Sequence, residues 1–476
     1  MMRSLFSGVS GLKNHQTRMD VIGNNISNVN TTGFKSSRVT FSDMLSQNLT
    51  GASAPQENRG GTNPKQIGLG SSVAAVDLLF TNGSVQSTGK NTDLCLSGNG
   101  LFVVSADAKG TNKYYTRNGA FEFDAAGNYV NPGNGYYVLG WTADENGSIN
   151  TNDAVGKIVV ESGKQMKPKA TEQVKYTGNL NASEPAITSI TAVDADGNKI
   201  SLPSVTLDGT YKAITLALSN GTTQTVGGTN GIKYTVDHSM PIVTSYTAYD
   251  AEGNDHTITL LMERTAANTW LASVRSKDTS PGISEDDGSV TQVTMASTVI
   301  PFKTDGTYND KTGAPGTMSL VFTDPNGATK PQSLTIDFSA LTQYSGGNTS
   351  KATADGYGYG VLQEVAVDLS GVITGTYTNG QRRSEGQVAI AQFNNASGLT
   401  KTGDSLYQES NNSGVANIRT ATDLGVKITP SSLEMSNVDV ANEFTDMIIT
   451  QRGFQSNSKI ITTSDEMLET IVNMKR

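Results

Sequence analysis

The side chains that do chemistry in enzymes are few in this chain and scattered along it. There are three histidines, His15, His238 and His256, and one cysteine, Cys95. None of the histidines stands beside another His, Cys or Glu at the short spacings that hold a metal ion. His15 falls on the apolar face of a helical segment and reads as a packed residue. A lone cysteine excludes an intramolecular disulfide. Cys95, within Asp93-Leu94-Cys95-Leu96-Ser97, reads as a small side chain buried on a strand. The glycines ahead of Lys90 approach a phosphate loop, but Ser84 stands where the first glycine belongs and no helix clearly follows. Gly356-Tyr357-Gly358-Tyr359-Gly360 does not follow a strand and open a helix, as a dinucleotide fingerprint does. Glu285-Asp286-Asp287 reads as a solvated loop. Neither a catalytic constellation nor a cofactor or metal site emerges.

Five acidic–glycine segments remain: Asp124 to Asn128, Asp144 to Gly147, Asp194 to Asn198, Asp250 to Asn254 and Asp324 to Gly327. The third and fourth invite a calcium reading. A calcium loop, however, wants glycine at its sixth position and a late glutamate. All five read instead as hairpin turns, where Gly and Asn tolerate positive φ.

The elements around these residues are more telling. Near the start, Leu5, Leu12, Met19 and Ile26 recur every seven residues, with Ile22 and Val29 on the same face. Near the end, Leu433, Val440, Met447, Phe454, Ile461 and Leu468 do the same, with Phe444 alongside. A seven-residue apolar repeat keeps one stripe turned toward a partner helix. The expected fold is therefore multidomain α+β: helices at both ends pairing as a coiled coil, with mostly antiparallel β domains between them. Residues 1–30 and 433–476 form the helical part, the second helix starting at the capping spacing Ser436-Asn437-Val438-Asp439. Residues 31–70, rich in Gly, Pro and Asn, read as an extended connector. From residue 71 the period changes to two: Ser72 to Leu78, Leu94 to Leu96, Leu101 to Val104 and Tyr136 to Leu139 are strand candidates. Residues 71–178 and 348–432 would make a first β domain, and 179–347 an inserted outer one, single or double.

Composition narrows the function. The 476 residues, enough for about two to four domains, carry a net charge of −9. That balance argues against a nucleic-acid partner, which calls for a basic patch. The charge is uneven: Arg3, Lys13, Arg18, Lys35 and Arg38 stand against Asp20 alone in the first 38 residues, while 433–476 hold seven acids and four bases. Opposite-sign ends fit helix pairing. The first residues lack the apolar core of a signal peptide, and no run of about 18 apolar residues suggests a membrane span.

Two motifs carry a resemblance. Ser7-Gly8-Val9-Ser10-Gly11-Leu12, followed by Ile22-Gly23-Asn24-Asn25-Ile26-Ser27-Asn28-Val29-Asn30-Thr31-Thr32-Gly33-Phe34-Lys35, closely resembles the N-terminal signature of bacterial flagellar rod and hook proteins. Ala441 to Gln455, containing Gln451, Arg452 and Gln455, then Ser456-Asn457-Ser458-Lys459, resembles their C-terminal signature, though Gly453 stands where many members have alanine or threonine. Tyr249 to Thr257, Leu334 to Phe338, Thr342-Gln343-Tyr344 and Gly380 to Phe393 are similar to segments of the hook members, as is the long insertion itself. The resemblance implies a non-enzymatic subunit without cofactors. It would be exported unfolded by the flagellar type III apparatus, without a cleaved signal, and would lie outside the cell. It would polymerise under a cap into a curved tube acting as a universal joint. Its partners would be its own copies, the rod, the hook cap and the hook–filament junction proteins. A distal rod protein shares the ends but lacks the insertion. A secreted surface adhesin would account for the β middle but not for both ends.

Overall fold

A computed structural model of the chain describes residues 2–55, 59–280, 282–284, 290–311, 313, 315–323 and 328–474. The fold is mostly β-strand, with one long helix at each end, Met2–Ser27 and Val440–Met474. Among the described residues no helix is long and apolar enough to cross a membrane. The chain divides into two compact units. The first comprises Met1–Lys164, Leu362–Tyr377 and Arg382–Arg476, and the second Gln165–Val361 and Thr378–Gln381.

In the first unit the expected strands all form. Leu101–Ser105 pairs with Lys113–Thr116 on one side and Tyr137–Thr142 on the other. Tyr137–Thr142 in turn pairs with Arg382–Val388, and that strand with Val372–Tyr377. Leu94–Ser97 pairs with Lys427–Pro430, and Val85–Ser87 with Ser432–Glu434. Leu101, Val103, Tyr115, Leu139, Trp141, Ala389 and Tyr407 fill the core. Every residue of Leu101–Ser105 is buried, so this strand is covered on both faces and shows no polar alternation. Cys95 is fully buried, and burial pushes its thiol up to about 11.

One buried carboxylate in this unit makes a pH prediction. Burial by itself would raise the pKa of Glu385, but hydrogen bonds from Lys164 at 2.6 Å, from Tyr377 and from Arg383 at 3.0 Å hold it below the ordinary glutamate range. A depressed carboxylate contributes stability that is present above its unfolded value and is lost as pH falls through the folded one. The melting temperature of the first unit should therefore fall on acidification through that window. In Glu385→Gln the same scan should be flatter and should start from a lower melting temperature at neutral pH. Equal slopes in the two proteins would refute the assignment.

The connector expected over 31–70 is instead the greater part of a long antiparallel hairpin. Ser37–Asp43 pairs with Ser71–Leu78, and Ser46–Thr50 with Lys65–Gly68. Backbone ladders hold it, so the sequence need not show an apolar alternation. Every described residue from 41 to 68 is exposed.

The second unit has two cores. Gln173–Asn181 runs parallel to Thr329–Tyr344 and antiparallel to Lys351–Ala354. That pairing moves the domain boundary from the expected 178 to 164, because the strand belongs to the insertion's own sheet. Ile242–Tyr249, Asp255–Ala266, Thr269–Val274 and Thr298–Pro301 form a second sheet, and the two sheets share a core around Tyr176, Leu260, Trp270, Ile336 and Phe338. A separate core holds Ile187, Ile190, Ile214, Leu216 and Tyr234. Leu261 joins this one while its neighbour Leu260 joins the other, as successive side chains on a strand must point to opposite faces.

Three of the acidic–glycine segments are built alike. In Asp124–Asn128, Asp194–Asn198 and Asp250–Asn254, the Asp Oδ1 accepts the N–H groups two and four residues on, and its Oδ2 accepts the Asn side-chain amide. The glycines take φ of 77°, 89° and 93°. The carboxylate oxygens are thus engaged by the turn itself. Asp144 accepts the N–H groups of Asn146 and Ser148 in the same way. The fifth segment, at 324–327, lies outside the described residues, as do Glu285, Asp286 and Asp287.

Candidate assembly site at the joined chain ends

The two terminal helices run antiparallel against each other within the first unit. Ser4 faces Ser464, Gly11 faces Asn457, Arg18 pairs with Asp446 at 2.9 Å, and the Asn25 amide donates to Glu443 at 2.9 Å. The first helix presents Ser4, Gly11, Arg18 and Asn25 in steps of seven; on the second, Glu443, Thr450, Asn457 and Ser464 lie seven apart, with Thr450 fully buried, and Asp446 reaches in from beside that line to meet Arg18. The contact line is therefore built largely from small and polar residues, with the buried Gly8 set against Ile461. A Cβ on Gly11 would come within 2.8 Å of the Asn457 amide, and one on Gly453 within 2.6 Å of the His15 ring. His15 thus fills the place of a side chain that Gly453 lacks. Burial, then Arg18, lowers its pKa.

This interlock makes a prediction. Gly453→Ala should improve intrinsic helix propensity by about 1 kcal/mol and yet lower the stability of the first unit, because His15 must move. His15→Ala should reverse the loss. Thermal melts of both single variants and the double variant measure the coupling, and additive effects would refute the interlock.

The apolar repeat sits beside this line rather than on it. Leu5, Leu12, Met19 and Ile26 are partly covered, and Ile22 is buried. Val29 lies beyond the helix end. Met447, Ile461 and Leu468 are also partly covered, whereas Val440, Phe444 and Phe454 are exposed, Phe444 by 48%. On the opposite flank Ile449, Ile460, Met467 and Ile471 are exposed too, Ile449 by 56%. Leu433 is not helical but lies on Ser432–Glu434. The helix cap is Asp439, whose Oδ1 accepts the N–H groups of Ala441 and Asn442, and not Ser436.

The signature residues divide in the same manner. Asn25 is buried, and besides Glu443 it bonds both the N–H and the carbonyl of Ser37, fixing the start of the hairpin. Asn28 closes the helix end onto the Asn24 carbonyl and accepts from Thr31. Gly33 has φ 68°, and a Cβ there would lie 2.5 Å from the Asn118 nitrogen, so no other residue fits. Phe34 is buried under the Lys401 ammonium, 4.5 Å from the ring centroid. Asn30, Gln451, Arg452 and Gln455 are exposed, and Arg452 donates to Gln455.

Sequence reading did not find the cluster that ties the ends to the sheet. Glu434, 1% exposed, accepts from the Lys35 ammonium at 2.7 Å, the Arg117 guanidinium at 3.1 Å and the Gly83 N–H at 2.8 Å. Its own carbonyl accepts from Gly33 at 2.8 Å. Asn437 adds a second tie between Ser36, Leu79 and Thr81. Burial lowers the pKa of Lys35, and Glu434 opposes that shift.

Comparison with known proteins places these ends and the domains between them. Four family models match: flagella basal body rod protein over 5–35, the flagellar hook protein FlgE/F/G D1 domain over 95–217, the flagellar basal body protein FlaE D2 domain over 234–357, and the flagellar basal body rod FlgEFG protein C-terminal over 429–474. The chain is similar over its whole length to the flagellar hook protein of Borreliella burgdorferi, at 39% identity, and to that of Treponema pallidum, at 37%, in each case covering all of the relative. The chain belongs to the flagellar hook protein family. A flagellar basal-body rod protein of Bacillus subtilis is 30% identical over the full length of both chains, so the insertion is not confined to hook members as the sequence reading expected. Like its family, this hook chain is a structural subunit of the flagellar hook.

Proposed function

We propose that this hook subunit polymerises with its own copies through the joined terminal helices, forming a curved tube that passes motor torque to the filament while bending. The observation that carries this is the double apolar flank of Val440–Met474, left in water by a helix pair whose contact line uses other residues. Burying such surface against neighbouring copies is favourable by about 25 cal/mol per Å². In the tube the helices wind in heptad register as coiled coils, making a dense inner wall that resists torsion. The β units lie outside and meet their neighbours through polar, replaceable contacts, which lets each protofilament lengthen and shorten per turn. Export through the type III apparatus delivers the chain to the hook cap, and the rod and junction proteins flank the finished tube. The higher identity to the two hook relatives favours the hook over the distal rod.

Electron microscopy of basal bodies from a strain lacking the chain tests this. Complete rods with neither hook nor filament are expected. Truncated rods would move the subunit into the rod, and normal flagella would overturn the reading.

A further inference from the structure

A cavity of about 270 Å³ opens in the first unit between Leu101–Ser105 and the loop that follows Ile390–Gln392. Its rim is polar and exposed, with Asn99, Asn394 and Ser397. Its floor is buried, with Leu101, Phe393 and Arg117. Arg117 spends its two terminal nitrogens on Glu434 and on the carbonyls of Leu96 and Gly98. Its Nε is buried and has no partner among the described residues. Behind it stands the buried cluster of two cations, Lys35 and Arg117, against one carboxylate. No other described carboxylate forms an ion pair with either. An apolar funnel above a buried, unpartnered guanidinium donor and an excess positive charge suits one chemistry: a carboxylate next to an apolar side chain.

The chain itself carries such a group in the open. Asp43 ends the strand Ser37–Asp43, and Met44 and Leu45 follow it on the hairpin before Ser46–Thr50. Leu45 is 79% exposed, Met44 is exposed, and Asp43 is exposed with no cation partner among the described residues. Asp368-Leu369 also sets an acid beside a very exposed leucine, but the Asp368 Oδ1 is taken by the N–H groups of its own turn. We infer that this cavity receives the Asp43–Leu45 segment of a second copy of the chain, with Leu45 between Leu101 and Phe393 and the Asp43 carboxylate directed to Arg117. The inference rests on the self-assembly proposed above and names one contact within it.

Cross-linking tests it, because Cys95 is buried and leaves the background clear. Leu45→Cys and Asn394→Cys are placed in separate chains, both at exposed positions, mixed and assembled under mild oxidation. Disulfide-linked dimers are expected in the mixed tubes only, since the bond demands Cβ atoms about 4 Å apart. Adding Asp43→Asn to the first chain should cut the dimer yield several-fold. Mixed tubes without dimers would overturn the inference while leaving self-assembly intact. Dimers unaffected by Asp43→Asn would overturn the carboxylate's role. A wild-type chain that forms no tubes would remove the second copy, and with it both readings.

Discussion

Glu434→Ala should cost the first unit about 3–5 kcal/mol, the largest single-residue loss we expect anywhere in the chain. The reason is asymmetry: a buried ion pair adds little over an apolar replacement, but removing one partner strands the other. Here one deletion strands two cations, Lys35 and Arg117, and frees the Gly83 N–H as well. The two tryptophans make the measurement selective, because Trp141 lies in the first unit and Trp270 in the second. With Trp270→Phe in the background, denaturant unfolding followed by Trp141 fluorescence should show a much lower midpoint. With Trp141→Phe instead, the Trp270 transition should not move. An unchanged Trp141 midpoint would show that the cluster holds nothing together.

The second large effect concerns assembly rather than folding. Phe454→Asp and Ile460→Asp should each block tube formation while leaving the free subunit as stable as before. Both side chains are exposed in the subunit, where a substitution usually changes stability by less than about 0.5 kcal/mol. Each is proposed to be buried between copies, where losing an apolar contact costs about 1.5–3 kcal/mol, or roughly ten- to a hundredfold in association, before the buried charge is counted. Leu12→Asp and Met447→Asp should also block tubes, but by another route. Their side chains are partly covered in the subunit, so these variants should lose helical circular dichroism before any assembly begins. Normal tubes from Phe454→Asp and Ile460→Asp would refute the exposed-flank interface. Equal helicity loss in all four would refute the distinction.

The long helices and most strands are legible in the sequence because period and length mark them. The contact line of the helix pair is not, although it also repeats every seven residues. Ser4, Gly11, Arg18 and Asn25, and Glu443, Thr450, Asn457 and Ser464, escape a search that counts only apolar residues. The small residues there were the available signal, since close approach needs them. Extending the apolar repeat back to Leu433 fails because the strand ladder with Val85–Ser87 outweighs a pattern one residue long. The hairpin over 37–78 was hidden because its stability comes from backbone pairing. The Glu434 cluster left no mark at all: its members stand hundreds of residues apart, and a buried charge looks like any other in a sequence. The parallel pairing that shifts the domain boundary is equally non-local.

That separation has a kinetic meaning. Lys35 and Glu434 are 399 positions apart, so their contact closes nearly the whole chain into one loop. Closure entropy grows only slowly with loop length, but the contact cannot form until both ends are present. In a chain delivered from its N-terminus, Lys35 and Arg117 wait without an anion until residue 434 arrives. A chain cut short of its last strand therefore lacks Glu434, the carboxylate that Lys35 and Arg117 share, and its N-terminal helix lacks the second helix it lies against.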